Sequence, residues 1–113
     1  MSKYTKGDIV IIRFPFTDLS SSKKRPALVI SNDIVNQTGD YLMVQITSKE
    51  KTDTLSLPIT KTDFTGNKAL PLDSFIRLHK IFLLNESLVV SKATSVKKEF
   101  LDKVTGEVVN LIE

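Results

Sequence analysis

The apolar period of this chain changes once, near residue 95. Before that point, hydrophobic residues fall in short alternating runs. After it, Val96, Phe100, Val104, Val108 and Ile112 recur every fourth position, with Leu101 and Leu111 widening the stripe. Alternation puts successive side chains on opposite faces of a strand, whereas a spacing of four lines one face of a helix. The chain is therefore read as mainly β with a C-terminal helix.

The strands are placed by their punctuation. Gly7-Asp8 is a turn into a first strand, Ile9 to Phe14, which Pro15 in "FPFTD" breaks by removing a ladder donor. Ser20 to Lys24 is a polar loop, and Ala27 to Ser31 is a second, apolar strand. Asn32 to Asp40 reads as a turn holding one helical turn. Tyr41 to Thr47 alternates, with Leu42, Val44 and Ile46 expected inward and Met43, Gln45 and Thr47 outward. Further strands are expected at Thr54 to Thr60, Ser74 to Ile81 and Leu88 to Val90, with "TDFTGNKA" as a loop. Ser95 is the expected N-cap of the helix. Gly106 within it costs roughly 1 kcal/mol against alanine. About six short strands and a terminal helix predict a small, strongly bent sheet or barrel.

Composition narrows what such a domain does. The 113 residues make one domain with a modest core. There is no cysteine and only one histidine, which removes disulfides and leaves too few ligands for a structural zinc. The polar opening "MSKYTKGD" lacks the apolar core of a signal peptide, and no run is long enough for a membrane span. A cytoplasmic protein is expected, with neither cofactor nor metal. The net charge of +3 leans toward an anionic partner such as RNA or DNA. All but three of the sixteen basic residues are lysines. Arg13, Arg25 and Arg77 stand out because a planar fork holds phosphate or carboxylate at two points, which lysine cannot do.

Three places could carry chemistry. Pro26 restricts Arg25 to extended conformations, which gives either a fixed guanidinium beside an adaptable loop or a solvated arginine before a strand-opening proline. Thr47-Ser48 ends a core strand; its hydroxyls either donate to a phosphate oxygen or close a turn. In "FIRLHKI", Arg77 and His79 share a strand face with Phe75. An imidazole beside a guanidinium is what metal-free phosphoryl transfer could use; an exposed polar face is the other reading. The chain has no Walker loop, dinucleotide fingerprint or His-Glu metal motif.

The ordered set "GDIVIIRFPFTDLSSSKKRPALVIS", Ile46-Thr47-Ser48, "LDSFIRLHKIFLLN" and the terminal helix resembles toxins of the PemK/MazF family over nearly the whole chain, residues 1–113. The resemblance implies an SH3-like barrel (the MazF/CcdB-like toxin fold) that forms a homodimer and is bound by a cognate antitoxin. It implies the toxin of a type II toxin–antitoxin system, an endoribonuclease that cuts single-stranded mRNA without metal. The 2′-hydroxyl attacks the adjacent phosphorus, leaving 2′,3′-cyclic phosphate and 5′-hydroxyl ends. Arg25 matches the family's arginine before proline, acting as acid or stabilising phosphorane charge, and Thr47 matches the hydroxyl that holds the phosphate. Some members carry an Arg-x-Asp acid–base pair where this chain has Arg77-Leu78-His79, so histidine stands in the place of aspartate. RNA contacts are expected from Ser20, Ser21, Ser22, Lys23, Lys24, Gln45 and Ser48. The loop lacks the Gly and Glu-Gln of many members, which alters the expected base preference. The alternative is a non-catalytic binding module of the same fold, either a gyrase poison or an RNA binder.

Overall fold

The computed structural model describes residues 2–13, 24–49, 53–66 and 68–113. Phe14 to Asp18, Ser20, Ser21, Ser22 and Lys23 lie outside the described residues. Six strands form one antiparallel sheet: β1 (Asp8–Arg13), β2 (Lys24–Val29), β3 (Asp40–Thr47), β4 (Ser56–Ile59), β5 (Ser74–Asn85) and β6 (Val89–Ser95). Their order is β4-β5-β3-β2-β1-β6. Helix α1 (Asp33–Asn36) is a single turn between β2 and β3, and α2 (Lys98–Asn110) ends the fold. Strand pairing does not close the sheet. Its two edges are nevertheless stitched together just past β4 and β6. Phe64 bridges Val96, Thr65 N donates to Ser95 O at 2.9 Å, and Lys97 N donates to Asp63 O at 2.8 Å. The result is the expected barrel-like, mainly β fold with a C-terminal helix.

That stitching explains one departure from the expected helix boundary. Ser95 is not the N-cap. Val96 is still extended against Phe64, so the helix starts at Lys98 with Lys97 as its cap. The Ser95 hydroxyl instead donates to Asp8 Oδ1 at 3.0 Å. The Asp8 carboxylate is largely buried; it also takes Thr5 N at 3.0 Å and Lys92 Nζ at 3.3 Å. Gly7 turns with φ +99°, accepts from Val96 N and donates to Val29 O. The Gly-Asp opening thus ties β1 to both neighbouring strands. The apolar stripe of α2 is buried at Phe100, Val104 and Val108, but Leu111 and Ile112 are exposed.

Two clusters make the core. One sits between the sheet and α2: Ile9, Leu28, Val44, Ile46, Ile76 and Leu78 pack with Phe100, Val104 and Val108. Each such side chain contributes roughly 1.5–3 kcal/mol by leaving water. The other covers the opposite face: Val10, Ile12, Ala27, Val29, Tyr41, Met43 and Leu84. Both faces of β3 are therefore buried: its side chains alternate as expected, Val44 and Ile46 on one face and Tyr41 and Met43 on the other, but the second face is covered as well. Met43 is buried, and Leu42 only half so. The cause is an irregularity in β5. Gln45 pairs with Arg77, yet the adjacent Val44 pairs with Ile81. The three extra residues form a bulge that reverses which β5 side chains face which side. Phe82 and Leu84 thereby come onto the second cluster, opposite Met43 and Tyr41. The Tyr41 hydroxyl locks this side by donating to Glu86 Oε1 at 2.9 Å while accepting from Lys3 N at 3.1 Å. Burial, with a smaller push from Glu86, raises the phenol's pKa.

Candidate functional site

Strand β2 begins at Lys24, three residues earlier than expected, so Arg25-Pro26 lies within the strand and not ahead of it. Its first residues pair only on one side. Arg25 sits opposite Ile12 and Pro26 opposite Ile11 of β1, while pairing with β3 starts at Ala27–Gln45. Proline suits a segment whose second side is open. Continuing the register would set Arg25 across from Thr47, at the point where β2 and β3 part. Arg25 is thus held on an extended backbone by β1, as the Arg-Pro pair predicts.

The parted strands open into a groove of about 1030 Å³. Its lining includes Lys24, Arg25, Lys49, Arg77 and Lys80, together with Gln45, Thr47, Ser48 and His79. Apolar residues of the lining are Ile11, Pro26, Ile46, Leu70, Pro71 and Leu72. No described acidic residue lines the groove. Arg25, Thr47, Arg77 and His79, drawn from β2, β3 and β5, are therefore brought together, along with Lys24, Gln45 and Ser48. Gln45 stands opposite both Ala27 and Arg77, so the three form one row across the sheet. Thr47 Oγ1 accepts from Lys49 N at 3.2 Å, which orients the hydroxyl and turns the chain out of β3. His79 and Lys80 occupy the bulge and are exposed.

Arg77 differs from the other cations. It is 8% exposed, and its fork is already engaged. Nη1 donates to Asp53 Oδ1 at 3.0 Å and to Ser56 Oγ at 2.7 Å, and Nη2 donates to Asp53 Oδ2 at 3.2 Å. The guanidinium hydrogen bonds hold the Asp53 carboxyl below the usual carboxylate range, with the Leu55 N–H and the His79 charge adding smaller pushes the same way. The carboxylate partner of Arg77 is not two residues along its own strand, where His79 stands, but Asp53. The partner is on the β3–β4 connection. The legible signal for Asp53 is its Asx turn, in which Oδ1 accepts from Leu55 N at 3.1 Å; the link to Arg77 needs the β4–β5 register. Lys49 and Lys80 were also missed.

Among the described residues there is no group of three His, Cys, Asp or Glu that could hold a metal, and no helix long and apolar enough to cross a membrane.

No curated protein sequence matches the chain. Among solved structures, an endoribonuclease from Mycobacterial species is similar with TM-score 0.75 and 18% identity, covering 99% of this chain and 93% of that one. A structure of that description in complex with its cognate antitoxin gives 0.75 and 18%, covering 96% and 94%. The MazE-MazF structure (Form-III) from Deinococcus radiodurans gives 0.77 and 20%, covering 96% and 95%. At such identities the likeness establishes the fold. A family profile described as PemK-like, MazF-like toxin of type II toxin-antitoxin system matches residues 5–112, nearly the whole chain. With the barrel-like fold and the Arg-Pro groove in place, that match makes the chain a member of the PemK-like, MazF-like toxin family.

Proposed function

We propose that this protein is an endoribonuclease toxin that cuts single-stranded RNA by using the RNA's own 2′-hydroxyl. The observation that carries the reading is the convergence of Arg25, Thr47, Arg77 and His79 on one cationic groove with no described acidic lining. Such a groove attracts a polyanion. A base removes the 2′-proton, the oxygen attacks phosphorus, and the P–O5′ bond breaks. The proton taken up by the base, or one from water, is delivered to O5′ and completes a 2′,3′-cyclic phosphate and a 5′-hydroxyl. His79, exposed in the β5 bulge, is the base. Arg25, fixed by Pro26, faces the charge that builds on the non-bridging oxygens, and the Thr47 hydroxyl donates to one of them. One strong preorganised donor is worth roughly 3–4 kcal/mol in a transition state. The base and both phosphate donors of this scheme are side chains of the groove.

The same groove is where a cognate antitoxin would act. An acidic, partly disordered segment that folds on binding fits its charge. The exposed Leu83, Leu111 and Ile112 supply apolar surface for a homodimer; light scattering at micromolar concentration reads it directly.

The experiment is incubation of the purified protein with single-stranded RNA in EDTA, followed by analysis of the ends. Cleavage with cyclic phosphate ends supports the reading. Intact RNA that binds tightly would leave an RNA-binding module, and RNA that neither binds nor breaks would leave the gyrase-poison type.

A further inference from the structure

The ion pair between Arg77 and Asp53 bears on how Arg77 meets its ligand. A guanidinium has five N–H donors in a fixed plane. Three of them are consumed inside the protein, two by Asp53 and one by Ser56. The Asp53 bonds use the end of the fork, one from each Nη. The donors left over are Nε–H and the second Nη2–H, which lie side by side on one edge. No described residue accepts from Nε. That edge matches two oxygens of a phosphate, and Arg77 lines the groove. The side chain itself is only 10% exposed, so a ligand meets an edge and not a mobile head group.

We infer that Asp53 is a positioning residue for RNA cleavage: with Ser56 it clamps the Arg77 fork so that the Nε–Nη2 edge is presented to the phosphate in the groove. The inference rests on the nuclease reading above and assigns a role to a residue outside the groove lining. The Asp53 carboxylate is not a base here. Both its oxygens accept from Arg77, and Oδ1 accepts from Leu55 N as well. A carboxylate so engaged is held in its ionised form, with its bonds spent on Arg77 and the Leu55 N–H. What it does is fix the plane of a long side chain before substrate arrives, which removes the need to order it during the reaction. Its charge also cancels that of Arg77 in the free protein, so Arg77 contributes direction where Lys24, Lys49 and Lys80 contribute field.

The test follows the Arg77 Nε–H signal by NMR and the cleavage kinetics in the same proteins. The binding probe is a 2′-O-methyl RNA oligonucleotide, which lacks the attacking hydroxyl. In the unmodified protein the Nε–H signal is expected to be narrow and to shift when the probe binds. In Asp53→Ala and in the isosteric Asp53→Asn it should broaden and lose most of that shift. kcat should fall about 10–100-fold with KM changed less than about threefold, the pattern of a misplaced rather than missing group. Asp53→Glu should recover part of kcat, which a merely structural defect would not show. The inference is overturned if the protein cleaves RNA and the Asp53→Asn variant matches it in both signal and kcat. A protein that shifts the Arg77 signal on binding the probe but never cleaves sinks the nuclease reading while supporting the Asp53 clamp. A probe that binds with no change at Arg77 overturns the clamp, whatever the cleavage.

Discussion

Arg77 and Asp53 stand 24 positions apart in the chain and meet through two parallel hydrogen bonds. The pair joins the longest strand to the connection before β4, and its Arg77 end lines the groove. Its pH dependence has a definite sign. The Asp53 carboxyl is held below its unfolded value, chiefly by the Arg77 hydrogen bonds. Stability from the pair is therefore present above about pH 4, the unfolded value, and is lost as pH falls through the lower folded value. Asp53→Asn should melt below wild type at neutral pH, and the two melting curves should converge in strong acid. A gap that stays constant down to acid unfolding would show that the ionised pair is not the cause.

Arg25→Ala should keep a melting temperature near that of wild type, because Arg25 is only half-buried at the start of β2, which pairs on one side only. RNA cleavage should fall about 10²–10³-fold, the usual loss for one transition-state donor. Arg25→Lys should be nearly as poor, since a point charge does not reproduce a two-point fork. A folded Arg25→Ala that cleaves at the normal rate removes Arg25 from the chemistry.

His79 lines the groove from the bulge of β5, exposed to whatever lies there. As the base, it must lose its proton before it works, so cleavage should rise with pH along a single acid limb. His79→Ala should flatten that limb and lower the rate by about 10²–10⁴-fold. His79→Asp should retain appreciable activity and move the limb to lower pH. An unchanged pH profile in His79→Ala would assign the base to another group or to water.

Two glycines should respond in opposite directions to alanine. Gly7 has φ +99°, and a Cβ there would meet Leu101 Cδ2 at 3.3 Å. Gly7→Ala should destabilise by about 1–3 kcal/mol through backbone strain. Gly106 is helical and exposed, with nothing within 4 Å of an added Cβ. Gly106→Ala should stabilise by about 0.5–1 kcal/mol. Denaturant melts of the two variants check both signs, and a loss at Gly106 would mean that the helix face is already occupied by a partner in solution.

What the sequence determined by itself was local. Alternation located the β-strands because successive strand side chains point to opposite faces wherever the strand goes. The spacing of four through Phe100, Val104 and Val108 located the buried face of α2 for the same kind of reason, and Gly7-Asp8 marked its turn through a φ that only glycine adopts easily. The order of Arg-Pro, Thr47 and Arg77-Leu78-His79 was enough to name the family and most of the groove. Tertiary structure alone decided the rest. Val96 stays extended because Phe64, distant in sequence, pairs with it, and this moves the helix start to Lys98. Both faces of β3 are buried because three extra residues in β5 reverse its side chains, a shift visible only in the register against Val44 and Gln45. Asp53 finds Arg77 only once β4 lies beside β5 and brings Ser56 opposite it. Spacing along a chain fixes which face a residue takes; which distant residue faces it is set by how strands register, and that depends on the packing of the whole sheet.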